Sequence, residues 1–142
     1  MHMADIVTDR LSATLDLTET LARHLEEDAM QSRLQGPSNT VWEQFWCVVG
    51  ARESYAKAME AGSWAGFDCS LTAADRGSKS RLVAALESSR DTVERAVRSA
   101  DPSEEMIIDL LLHETQHHGQ LIRYIYGLGL DFPESWRRRW SL

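Results

Sequence analysis

A chain of 142 residues, 43% hydrophobic and 26% charged, has the size and composition of one globular domain that can bury its own core. Its net charge of −7, from 22 acidic and 15 basic side chains, argues against a nucleic-acid partner, which needs a basic face to neutralise phosphates. No apolar run approaches the roughly 20 residues that cross a bilayer. No secretory leader is recognisable, and the two cysteines, Cys47 and Cys69, make no disulfide framework, so the expected setting is a reducing cytoplasm. Met1-His2 ahead of Met3 is expected to be a cloning remnant, and His2 carries no argument.

Four long helical segments are predicted, within a single domain over residues 1–142 that shows no repeat or linker. The first runs from about Asp5 to Arg33, with Val7, Leu11, Leu15, Thr18, Ala22 and Leu25 at three- and four-residue spacing, and stops before Gly36-Pro37. The second starts after the capping residues Ser38-Asn39 and reaches about Ala61. Its early part, Val41-Trp42 and Phe45 to Val49, is apolar nearly all round and so central. A long loop follows from Gly62 to Gly77. The third helix, about Ser78 to Ser99, carries Leu82, Leu86, Val93 and Val97 on one face. The fourth is expected to begin with Asp101 as cap, Pro102 in the first turn and Glu104 completing a capping box; it continues to about Tyr126 before Gly127 and Gly129. After Pro133 a short helix, Glu134 to Trp140, lays Trp136 and Trp140 against the rest. No segment alternates with period two, so the fold class is all-α: a four-helix bundle with a long connection between its second and third helices and a short helical tail.

The chemistry concentrates on the fourth helix. His113 and His117 are four residues apart, so their rings share a face, and Leu110, Leu121 and Tyr124 mark that side as inward. Two buried imidazoles either bind a metal together or find hydrogen bonds in the core, and spacing alone leaves both readings open. His118 lies about 100° further round and is read as a packing or supporting residue. His24, beside Glu26 and Glu27, is read as a surface histidine. The segment His113-Glu114-Thr115-Gln116-His117 also matches the H-E-x-x-H metallopeptidase pattern, in which Glu114 would be the general base. The extended peptidase pattern is missing, since Gln120 and Arg123 stand where Gly and His would follow.

The run His113-x3-His117-His118-Gly119-Gln120-Leu121, with Tyr124 and the Gly127-Leu128-Gly129-Leu130 loop after it, resembles the signature of the DinB-like (YfiT-like) superfamily of four-helix bundles. Trp46-Cys47-Val48-Val49-Gly50-Ala51-Arg52 is similar to that family's second helix. The resemblance implies a zinc or nickel ion held by two histidines of the last helix and a third on the second. This chain has no histidine on its second helix, and the matching position is Cys47, in a strip of small residues with Ala51, Ser54 and Ala58. The implied ligands are therefore Cys47, His113 and His117. A thiolate suits either ion, whereas a Cys47 that is only a small buried hydrophobe would leave the site degenerate. Glu43, one turn earlier, is the substitute donor.

The same resemblance implies a metal-dependent transferase or isomerase that uses a low-molecular-weight thiol against a small electrophile, with Glu114 and Gln120 as candidate catalytic groups. A homodimer is expected as well. Two alternatives stand beside this reading: a non-catalytic metal-binding or dimerisation bundle, and a zinc hydrolase built on the His-Glu-Thr-Gln-His segment.

Overall fold

The computed structural model describes residues 1–99 and 101–142. Five α-helices follow one another: α1 (Met3–His24), α2 (Val41–Ala61), α3 (Lys79–Val97), α4 (Glu104–Gly127) and α5 (Glu134–Trp140). Among the described residues there is no strand, only an isolated antiparallel bridge between Arg33 and Thr40. The first four helices form a bundle in which α1 and α2 sit diagonally, each packed against both α3 and α4.

Helix directions follow from the side-chain pairs. Arg23 meets Glu87 while Asp16 meets Arg90, so α3 runs against α1. Gln44 meets His117 while Cys47 meets His113, so α4 runs against α2. The long loop then explains how α3 comes to lie parallel to α2. It turns back at Gly62, whose φ of 78° is a left-handed value that glycine adopts without steric penalty. From there it retraces α2: Asp68 meets Ser54, Phe67 lies on Gly50, and the Leu71 carbonyl accepts from Trp46 Nε1 at 3.1 Å. Arg76 reaches Glu43 near the N-terminal end of α2, and α3 starts there. A crossover of this kind is what gives a bundle parallel neighbours.

Three helix boundaries differ from the sequence expectation. α1 stops at His24 rather than Arg33, and residues Glu27–Gln31 form a 3-10 turn that buries Ala29 and Met30. Continuing the helix would place Glu26, Glu27 and Asp28 at its negative end, against the macrodipole. The cap of α2 is Thr40, not Ser38 or Asn39: its hydroxyl accepts from Glu43 N–H at 3.1 Å while Glu43 Oε2 accepts from Thr40 N–H at 2.7 Å. Ser38 instead accepts from Leu34 N–H at 2.9 Å within the preceding turn. α4 is capped by Ser103, whose hydroxyl accepts from Met106 N–H at 3.3 Å, so Asp101 and Pro102 precede the helix and the expected box with Glu104 does not form.

The core has two apolar parts. One gathers Leu21, Phe45, Val49, Leu86, Leu121 and Ile125, and the other Leu11, Leu15, Ala51, Val93, Ile107 and Leu110. α5 closes the first part: Trp136 is fully buried, donates from Nε1 to the Leu17 carbonyl at 2.7 Å, and rests on the His118 ring. No helix among the described residues is long and apolar enough to cross a membrane.

Candidate metal centre

α2 and α4 bring three donors together. Cys47, His113 and His117 each offer one ligand atom, and all three atoms lie within 4.8 Å of one another. Cys47 Sγ stands 3.8 Å from His113 Nε2, and the two imidazole rings are 4.7 Å apart at a 56° tilt. Around a tetrahedral ion with ordinary Zn–S and Zn–N bonds, the sulfur–nitrogen edge is about 3.6 Å. Side-chain adjustments of about 1 Å or less would therefore close the group onto an ion.

One observation beyond proximity fits a metal. Gln44, buried on α2, places Oε1 2.8 Å from His117 Nδ1. An amide oxygen only accepts, so Nδ1 carries the proton and the Nε2 lone pair is left for a ligand. His113 Nδ1, the ring nitrogen that is not the one nearest Cys47, is buried without a hydrogen-bond partner. Burial lowers the pKa of both rings. His117 is pushed down to about 4, with the neighbouring His113 charge adding to burial and Glu114 opposing it. His113 shifts the same way against the pull of Glu114. Both are thus neutral at pH 7, the form that binds metal. Burial raises the Cys47 thiol, so the sulfur has to give up a proton to become a ligand. Two imidazoles and a thiolate suit zinc or nickel, and three protein donors leave a tetrahedral ion one open position.

The structure places the remaining candidates elsewhere. Glu114 is one residue on from His113, which turns it toward α1 and Arg52. It is fully buried; Arg52 grips it side-on, with Nε donating to Oε2 at 3.0 Å and a second nitrogen to Oε1, and Thr18 donates to Oε1 as well. Burial works to raise its pKa, but Arg52 and Thr18 outweigh it and hold the carboxyl below its usual range. A carboxylate engaged in this way faces Arg52 and Thr18 rather than the three-donor group, which leaves it poorly placed to take a proton from water there. Gln120 is half-buried, one turn beyond His117 on α4. Glu43 is spent as the cap of α2 and is outside the three-donor group. His118 donates to Thr18 at 2.7 Å and stacks near Trp136, a supporting place as expected. His24 is exposed, with Nε2 3.1 Å from the Asp131 carbonyl. Cys69 lies against the Trp46 carbonyl at 3.6 Å.

Sequence reasoning missed two parts of this region. Gln44 carries no motif, and only its place one turn before Val48 on a buried helix could have drawn attention to it. Arg52 was noted only for its family-like setting, yet it anchors a buried network that takes in Glu114, Glu19 and the carbonyls of Leu15 and Leu86. No protein-family model matches the chain, and no curated protein matches it.

Proposed function

We propose that this chain is a divalent-metal protein of the DinB-like kind, holding zinc or nickel through Cys47, His113 and His117 and acting as a thiol-dependent transferase or isomerase on a small electrophile. The observation that carries the reading is the three-donor group with one imidazole held by Gln44 so that its Nε2 keeps a lone pair for a ligand. A divalent ion bound there supplies Lewis acidity, which lowers the pKa of a small thiol. The protein's part is to fix the donors, keep both imidazoles neutral, and surround them with a dry wall from the core of α2 and α4. The buried, Arg52-bound Glu114 weighs against the hydrolase alternative, which needs that carboxylate at the reacting water. We also propose a homodimer, supported by the exposed Ile108, Leu112 and Tyr126, which recur on one face of α4.

Metal analysis of the purified protein tests the first step: one zinc or nickel ion per chain, lost in His113→Ala and His117→Ala. Cobalt substitution tests the second. A small thiol such as 2-mercaptoethanol should add a sulfur-to-cobalt absorption band if one position is open. A bound ion with no new band would point to the non-catalytic bundle, and thiol-independent peptide hydrolysis would restore the hydrolase. Light scattering at high micromolar concentration tests the dimer, and a monomer there ends that proposal.

A further inference from the structure

A groove of about 360 Å³ runs between the first half of α2 and the loop at residues 71–76. Asn39, Trp42, Trp46 and Cys47 form one wall, a strip at helical spacing, and Thr72 and Arg76 stand on the other. The chemistry of this groove is uneven. Its body is indole: Trp42 is almost fully buried in the wall, and Trp46 is pinned by its bond to the Leu71 carbonyl and by the Phe67 ring. At one end Arg76 stands opposite Glu43. Arg76 is 54% exposed and lies 3.9 Å from Glu43, too far for a hydrogen bond, so that pairing leaves the guanidinium donors without an acceptor. Glu43 is committed to capping α2. Thr40 N–H first, and Arg33 and Arg76 after it, hold that carboxyl below its usual range.

We infer that this groove binds a small organic anion with a flat apolar body, its carboxylate on Arg76 and its body against Trp46 and the edge of Trp42. Arg76 offers the planar fork that matches a carboxylate, and the indoles offer flat apolar surface that excludes water from the pair. Cys47 belongs both to the groove and to the three-donor group, so an anion held here lies beside one of the three donors. The binding does not rest on the metal reading and is measured on metal-free protein, so its failure leaves the metal assignment standing, and the reverse.

The test follows the five tryptophan indole N–H resonances by two-dimensional nitrogen–proton NMR during titration with benzoate, benzyl alcohol and benzylamine. Benzoate is expected to shift Trp42 and Trp46 saturably, about tenfold more tightly than either probe lacking the carboxylate. Arg76→Gln, a surface change, should abolish that preference. Equal binding of the three probes, preference for benzylamine (which would make Glu43 the anchor), shifts confined to Trp64, Trp136 or Trp140, or no saturable shift at all would each overturn the inference.

Discussion

Gln44 Oε1 and His117 Nδ1 stand 2.8 Å apart in the buried space between α2 and α4, and that bond decides which imidazole nitrogen keeps a free lone pair. Supporting partners of this kind typically change metal affinity by about 10–100-fold. Gln44→Leu keeps the bulk and removes the acceptor, so zinc affinity measured by chelator competition should fall within that range. Gln44→Glu keeps an acceptor and should lose much less. Unchanged affinity in the leucine variant, with the helical signal intact, would mean that the bond does not orient a ligand.

The metal-free protein should lose stability in mild acid. His117 and His118 both stay neutral in the fold down to about pH 4, with burial the first cause for each. In the unfolded chain they take up protons near pH 6.5. Between those values the unfolded state binds more protons, so the stability is fully present above pH 6.5 and is lost as pH falls toward 4. Each histidine should contribute on the order of 1 kcal/mol per pH unit inside that window. Glu114, held below its usual range, acts in the same direction at lower pH, while Glu19, raised by burial against the pull of Arg52 and Arg90, acts the opposite way. Urea midpoints at pH 7.5, 6 and 5 read the slope, and His118→Gln should flatten it. A midpoint that does not move between pH 7.5 and 5 would remove the argument.

Arg52 is expected to matter more to stability than any single apolar residue near it. Its guanidinium has no exposure and serves Glu114, Glu19 and two backbone carbonyls at once. Arg52→Met would leave two buried carboxylates without their shared cation, a loss of about 3–5 kcal/mol. Arg52→Lys should recover little, because a single ammonium cannot reproduce the side-on fork on Glu114. Denaturant unfolding decides it, and a loss below about 1 kcal/mol in the methionine variant would show that the carboxylates find other partners or protonate at small cost.

The four helices and the tail were legible because each buries a stripe that recurs at helical spacing; Leu11, Leu15, Thr18, Ala22 and Leu25 are all buried where the pattern put them. Their ends were less legible, because Ser38, Thr40, Asp101 and Ser103 are all good caps and only tertiary position chooses among them. The His113/His117 pair could be read from spacing, since one helix carries both. Cys47 needed a resemblance, and Gln44 and the Arg52 network could not be found from spacing at all, because their partners are 62 or more residues away for Glu114 and His117.

A last expectation concerns Gly50, where helix propensity and packing oppose each other. Within a helix, glycine is roughly 1 kcal/mol less favourable than alanine. A Cβ at this position would lie 2.2 Å from Phe67 Cζ, so the ring would have to move. Phe67 can move, being 45% exposed, but in moving it gives up its contact with Trp46, whose ring centroid is 5.2 Å away. Gly50→Ala alone should therefore change stability little or lower it. In a Phe67→Ala background those ring atoms are gone, and the same change should stabilise by about 1 kcal/mol. The coupling between the two positions, read from four urea curves, should thus be about 1 kcal/mol or more. Additive effects would show that Phe67 does not rest on Gly50, and with that the loop would lose the contact that sets Trp46 at the edge of the groove.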